Sequence, residues 1–458
     1  MTPGDAPTDE DDGADGLKRS NFSGFGVGSN WNPMVIVRAD GMYLEDSKGR
    51  RFMDFSSQPA AVNLGHNNRR VIGAIKDQAD KLAYVMASFG TDVRVDFSRK
   101  LAEVLPENLT KYSFLNTGSE ANEAAARMVR TFHKNDGKTK IISRYNSFHG
   151  WTAATSQLTG GPRRFPVETT GAYPGVVHVP DPYCYRCPFG LKYPECGVAC
   201  AEFIDYSFKN EGNVGAMILE PVTGASGVVV PPKEYLPRVK EITEEHGAFL
   251  IADEVLCGWG RTGEWFAIDN WGVKPDVLTT AKGITGGQFP LSLVATNGEI
   301  GEFFERNWLP VSGTFSAHPL GMAAGIAAIE EYRQENLIPK AKEDGVYLGR
   351  RLEELKSRHP SVGDVRGLGL LWAVELVKDR RTKEPFDYAE DYLGGKTLMT
   401  HRVAAKMMDR GIFVYTGVVS HMIVSPPLIV SREQIDAFIE AMDEALRVSD
   451  EQAEKVPA

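Results

Sequence analysis

Four segments of this chain place reactive residue types where a buried strand or a helix start would present them. In AFLIADEVLCGWGRTG an apolar run leads straight into Asp253 and Glu254. A carboxylate at the exit of a buried strand stands where open α/β sheets bind their ligands, and it can pair with a protonated heterocyclic nitrogen. The plainer alternative is a solvated turn. In DVLTTAKGITGGQFPLS a second apolar run ends at Thr279 and Thr280, and Lys282 follows among small residues. Partial desolvation there lowers the pKa of an amine and prepares it to attack an aldehyde, although most lysines are simply surface charges. FLNTGSEANEAAARMVR sets Gly118 and Ser119 at a helix start, where amides and a hydroxyl suit a phosphate monoester. Thr117 or Ser119 could equally do no more than cap that helix. RYNSFHGWTAAT offers Phe148 for stacking on a flat ring, His149 beside it, and Gly150 for close approach.

Each segment alone has an ordinary packing explanation. Together they supply a phosphate cradle, a stacking ring, a partner for a ring nitrogen and an imine-forming amine. Those are the groups that pyridoxal 5'-phosphate (PLP) asks of a protein. The expectation is a PLP site in which Lys282 carries the cofactor and Asp253 holds its pyridine nitrogen.

The elements that must position these residues can be read from periodicity. MVIVRADGMYLEDSKGRRFMDFSS predicts short strands joined by DG and KG turns, and RVIGAIKDQADKLAYV predicts a helix. Apolar runs in YSFLNT, TKIISRY, GAMILEP, AFLIADE and DVLTTAK alternate with helix-period stretches such as EANEAAARMVRTFHKN and KEYLPRVKEITEEHG. That alternation predicts a mainly parallel α/β sheet, in a large domain placed at residues 78–330. Beyond it, AAIEEYRQENLIPKAKEDGVYLGRRLEELKSRH reads as one long helix leading into strands at VRGLGLLWAVELV. HRVAAKMMDRGIFVYT and HMIVSPPLIVSREQIDAFIEAMDEALRVS complete a smaller α+β domain over 331–458. Residues 21–77 are expected to pack with that small domain, and residues 1–20 to form a disordered acidic tail.

Bulk properties narrow the class. The chain has 458 residues, 42% hydrophobic and 24% charged, with a net charge of -10, an ordinary balance for a soluble globular protein. That charge gives no sign of a nucleic-acid groove or an anionic-membrane surface. No run of about 18 apolar residues suggests a membrane span. The acidic, Gly- and Pro-containing start lacks the basic and apolar stretches of a secretory signal, so the expected compartment is the cytoplasm.

The order and spacing of NTGSEANE, SFHG, LEPVTG, LIADEVLCGWGRTG, TTAKGITGG, SGTFSAHP and VRGLGL resemble the class III aminotransferases of PLP fold type I, over a stretch from about Asn30 to Ala445. The resemblance implies a large domain with a mainly parallel seven-stranded sheet plus a smaller α+β domain. It implies Lys282 as the Schiff-base lysine, Asp253 as the pyridinium partner, Gly118 and Ser119 as the phosphate pair, and Phe148, with His149 beside it, as the stacking ring. Val255 would pack the opposite ring face, and Glu220 would act through its neighbours. Thr314 would serve the phosphate site of a neighbouring subunit, which implies a homodimer or homotetramer with active sites at the interface. The implied activity is ping-pong transamination between an amine donor and a keto acid.

Departures from the family pattern bear on substrate. Relatives using 2-oxoglutarate or α-amino acids often carry an arginine where this chain has Ile423, and a gate glutamate where it has Ala225. The ω-amine:pyruvate branch often has a mobile arginine where Thr416 falls, and some of its members a bulky aromatic where Ala60 stands. PYCYRCPFGLKYPECGVACAE resembles the taurine:pyruvate-like and other ω-amine branches. The expectation is therefore an ω-amino acid or amine donor with pyruvate. An aminomutase, decarboxylase or phospholyase remains open, as does a 4-aminobutyrate-type enzyme using 2-oxoglutarate. Trp31, Ala60, Phe89, Trp151 and Thr416 are the pocket candidates, and Arg163 or Arg164 the candidates for binding the acceptor carboxylate. Cys184, Cys187, Cys196 and Cys200 form C-x2-C-x8-C-x3-C. Zinc could use four such thiolates, but the central interval is short for common zinc patterns. Small buried side chains in a packed loop, with no metal, are the reading adopted.

Overall fold

Middle-chain strands such as VGAMIL and FLIAD bury every residue, and a strand so composed needs cover on both faces. In the computed structural model, which describes residues 13–22, 24, 30–164 and 173–453, seven strands meet this need in one sheet. From edge to edge they are Leu109–Leu115, Ser292–Asn297, Val277–Thr280, Phe249–Asp253, Val214–Leu219, Lys140–Arg144 and Val176–Val179. Ser292–Asn297 is antiparallel to both neighbours, and the five strands beyond it pair in parallel. Six of the seven therefore run the same way. The segments that leave Leu115, Arg144, Leu219, Asp253 and Thr280 consequently emerge along one edge of the sheet, the edge where such sheets bind ligands. The helix Gly118–Phe132 covers one face, packing Ala121, Ala125 and Val129 into a cluster with Ile251, Val277 and Val294.

The five predicted apolar runs are all members of this sheet. Val176–Val179 and Ser292–Asn297 were not foreseen: each is a short run flanked by Gly and Pro residues that read as loop.

A second sheet joins Val362–Leu368, Leu371–Asp379, His421–Val424 and Tyr415–Thr416, with Glu384–Pro385 against Leu371–Asp379. The helix Leu337–Arg358 packs on it, and Arg432–Ala445 packs against that helix. A third joins Ile36–Asp40, Tyr43–Asp46 and Arg51–Asp54, the last of which pairs in parallel with Ile412–Phe413. Phe55 stacks on Phe438 with ring centroids 4.2 Å apart, and Ser57 Oγ donates to the Ser425 carbonyl at 2.7 Å.

The structure corrects several sequence expectations. The single long helix is two, Pro319–Gln334 and Leu337–Arg358, broken where Asn336 adopts a left-handed φ of 49°. Asparagine tolerates that region better than most residues, and Pro339 sits within the first turn beyond it. Divisions at 77/78 and 330/331 would cut the helices Arg69–Lys81 and Pro319–Gln334. Residues 14–20, expected to be disordered, form a short helix; residues 1–12 of that tail lie outside the described residues. No helix among the described residues is long and apolar enough to cross a membrane.

Candidate active site

Asp253 closes its strand with 1% of its surface exposed. Its Oδ2 accepts from Asn122 Nδ2 and from His149 Nδ1, each at 2.7 Å, and its Oδ1 from the Val255 amide at 3.0 Å. A carboxylate offers about four lone-pair positions, so one acceptor position remains for a further donor. Asn122 is fully used: its Nδ2 also donates to the His149 carbonyl at 2.9 Å, and its Oδ1 accepts from Thr279 Oγ1 at 2.6 Å. Two side chains thus aim Asp253. His149 Nε2 is buried and has no hydrogen-bond partner among the described residues.

Lys282 follows the adjacent strand and opens a short 3₁₀ turn at a left-handed φ of 49°. Burial lowers its pKa, against the opposing pull of Asp253 and Glu220. An amine so placed is more often neutral, the form that attacks a carbonyl.

The helix Gly118–Phe132 is capped by Thr117, whose hydroxyl accepts from the Glu120 amide while Glu120 Oε2 accepts from the Thr117 amide. The capping box occupies Thr117 and leaves Ser119 unspent on it. The amides of Gly118 and Ser119 have no acceptor among the described residues, so both are available to an anion. Two glycines make this arrangement possible. A Cβ on Gly118 would lie 2.7 Å from Val255 Cγ1, and one on Gly150, at φ +134°, 2.4 Å from Ser119 Oγ.

Phe148 is half-buried and meets Trp151 edge to face at 5.7 Å. Its backbone is fixed by Glu220, whose Oε1 accepts from the Phe148 amide at 3.0 Å and whose Oε2 accepts from the Gly224 amide at 2.8 Å. Burial raises the pKa of Glu220. Thr159 Oγ1 accepts from the amides of His149 and Gly150, which pins the same loop from the other side.

A family model, aminotransferase class-III, matches residues 26–446. The chain is a class III aminotransferase. It is 36% identical to the leucine/methionine racemase of Thermococcus litoralis, over 92% of this chain and 93% of that one. It is also 36% identical to the putrescine–pyruvate aminotransferase of Pseudomonas aeruginosa, over 88% of each. Its fold matches the taurine:2-oxoglutarate aminotransferase of Bifidobacterium kashiwanohense, solved with PLP and glutamate, with a TM-score of 0.90 at 32% identity, over 96% of this chain and 97% of that one. The aminotransferase uses PLP, and its groups fit that cofactor: two free amides beside a serine hydroxyl, a buried carboxylate with an open acceptor position, and a desolvated lysine.

Other predicted positions of this aminotransferase fall into two groups. Ala60, Ala225 and Ile423 share one apolar cluster with Val222, Val228, Leu256 and Tyr415, so the residues standing in place of an aromatic, a glutamate and an arginine build a single uncharged wall. Thr416 pairs with Met422 in the hairpin beside it. Trp31, Phe89 and Thr314 are not drawn into the site of their own chain. Trp31 is half-buried ahead of the first strand, Phe89 is 59% exposed, and Thr314 lies exposed with its carbonyl accepting from Tyr84 Oη. Arg163 is buried, with its guanidinium 5.2 Å from the Phe148 ring centroid; nothing is described of the Arg164 side chain. The four cysteines line one small cavity of about 20 Å³. They are not buried as expected, since Cys184 is exposed and the others are partly so. No group of three or more His, Cys, Asp or Glu among the described residues is arranged to hold a metal.

Asn122 was missed from sequence. Its signal was available: a polar residue in the interior of a helix that otherwise reads AAA needs a buried partner to justify its poor propensity.

Proposed function

We propose that this aminotransferase takes its amino group from an ω-amino acid or amine, such as taurine or β-alanine, and passes it to pyruvate. The observation that carries the reading is the uncharged wall of Ala60, Ala225 and Ile423. A second carboxylate, as in glutamate or 2-oxoglutarate, would lose its hydration there without gaining a counter-charge. Relatives named for putrescine with pyruvate and for taurine with pyruvate support it, while the taurine enzyme matched in fold is named for 2-oxoglutarate and supports the donor alone.

When bound, PLP supplies an electron sink that acidifies the C–H beside the donor nitrogen. The Gly118 and Ser119 amides and the Ser119 hydroxyl would hold its phosphate, and Phe148 and Val255 would flank its ring. Asp253, aimed by Asn122 and His149, would keep a proton on the ring nitrogen. Lys282 would hold the cofactor through Nζ, and that amine, when free, would take the proton from the donor carbon as base and give it back as acid. The same residues would serve the keto acid in the reverse direction. We place Thr314 beside the partner's phosphate in a homodimer or homotetramer, a reading supported by the exposed Tyr84 and Phe315 around it.

The test adds taurine, β-alanine, 4-aminobutyrate, 1-phenylethylamine, L-alanine and L-glutamate singly to holoenzyme and follows the near-visible band of the bound cofactor. Bleaching by an ω-amine and recovery on adding pyruvate is the expected result. Bleaching by L-glutamate with recovery only by 2-oxoglutarate overturns the substrate reading. The racemase relative favours one other reading, inversion of an α-amino acid with no keto acid consumed. Chiral chromatography of L-methionine incubated with holoenzyme alone would reveal it.

A further inference from the structure

Next to the wall in sequence, at Ser226, is a concavity of about 350 Å³, lined by Arg163, Arg186, Tyr183, Ser226, Glu375 and His421 among others. Its chemistry is the reverse of the wall's. Arg186 Nε donates to Glu375 Oε1 at 2.6 Å. Arg366, behind it, donates to Glu375 Oε2 at 2.7 Å and to Asp364 Oδ2 at 2.9 Å, and Tyr183 Oη also donates to Glu375. Glu375 and Asp364 are therefore spent on Arg186 and Arg366, and Asp387, the other carboxylate lining the concavity, accepts from the Met399 amide at 2.7 Å and lies 3.8 Å from Lys396 Nζ. Arg163 is left without a counter-charge among the described residues, although only 7% of it is exposed.

Three buried guanidinium nitrogens at this place have no hydrogen-bond acceptor among the described residues: Arg163 Nη1, Arg186 Nη2 and Arg366 Nη2. Water could fill such positions but would not balance the charge, and a buried guanidinium without an anion is costly. Guanidinium groups present N–H donors in a fork that matches a carboxylate or sulfonate. Arg163 also faces Phe148 at 5.2 Å, so one side chain touches both the proposed cofactor-stacking ring and this concavity. Ser226 adjoins Ala225, and His421 closes the hairpin that begins at Thr416. The positive charge missing from the wall is thus found one step away, on a loop distant in sequence.

We infer that this concavity is an oxyanion subsite, with Arg163 as its principal contact, for a carboxylate or sulfonate. Its assignment to the acidic end of donor or acceptor rests on the function proposed above. Binding of the anion itself does not.

The experiment uses holoenzyme and acids that lack an amine, so no turnover is needed. Isothermal titration with 2-hydroxyethanesulfonate and with propionate is compared between wild type, Arg163→Met and Arg163→Lys, with 1-propanol as the uncharged control. Wild type binds the acids and not the alcohol. Arg163→Met weakens the acids by about ten- to a hundredfold, the scale of one charged hydrogen-bonded contact, and Arg163→Lys recovers part of the loss. Each variant is first shown to keep the cofactor band. Competition between 2-hydroxyethanesulfonate and taurine in the half-reaction assigns the subsite to the substrate's acid group. Binding without competition assigns it to a free anion. Equal affinity in wild type and Arg163→Met, or no acid binding by wild type, overturns the inference. A holoenzyme that reacts with no amine yet still shows the Arg163-dependent binding would refute the proposed function alone.

Discussion

At the residue scale, Asp253, Asn122 and His149 behave as one unit, because each hydrogen bond fixes the next. Asp253→Asn keeps the size but presents an amide to His149 and removes the carboxylate proposed to hold a ring proton. Its kcat is expected to fall by about 10²–10³, the cost of losing one preorganised electrostatic contact, with cofactor still bound. Single-turnover absorbance would check this, and an unchanged rate would remove Asp253 from the chemistry. Lys282→Ala should lose the cofactor band and transamination together. Gly150→Ala places a Cβ against Ser119 Oγ at a backbone angle other residues resist, and cofactor affinity should drop about tenfold for strain of 1–3 kcal/mol, read by equilibrium dialysis of PLP. Asp253 and Lys282 were legible in the sequence because each ends an apolar run, so the run itself says where the side chain emerges. Arg186, Arg366, Glu375 and His421 were not, because nothing local distinguishes them from surface charges; only the fold gathers them.

At the element scale, Arg261 joins three parts of the chain. It is fully buried, and its guanidinium donates to the Leu370 and Pro426 carbonyls, Ser57 Oγ and Asn63 Oδ1. None of those acceptors is charged, and burial pushes its pKa down to about 10. Arg261→Met would strand several buried acceptors, and a loss of at least about 3 kcal/mol is expected, measured as the shift in urea midpoint. The hairpin carrying His421 gives a pH signature. Burial, with Arg366 and Arg163 nearby, pushes the His421 pKa down to about 4. An unfolded histidine titrates near ~6.5, so between those values the unfolded chain binds the extra proton. Stability is whole above about pH 6.5 and is lost as pH falls toward about 4. His421→Asn should flatten that loss in urea midpoints taken at several pH values. The parallel strands were readable because two-sided burial makes their sequences continuously apolar. The helix break at Asn336 was not, because helical periodicity carries through a single left-handed residue.

At the scale of the whole molecule, Trp308, Phe315, Met86 and Phe89 stand 85%, 55%, 55% and 59% exposed, more large apolar surface than a solitary chain usually shows outside a working interface. Sedimentation is expected to give at least twice the 50.3 kDa of one chain. Phe315→Asp should lower the assembled fraction and weaken cofactor retention together; a monomeric wild type would end the shared-site reading. The pairing of the chain's early strands with its last segments also sets a timetable. Ser57 reaches Ser425 across 368 residues, and Arg51–Asp54 finds its parallel neighbour only at Ile412–Phe413. At about 5–20 residues per second of synthesis, the first of these strands waits roughly 20–70 s beside an unmade partner. Its open edge, with Phe52 and Phe55 uncovered, is the interval in which a nascent chain of this protein is most exposed to aggregation and to capture by chaperones.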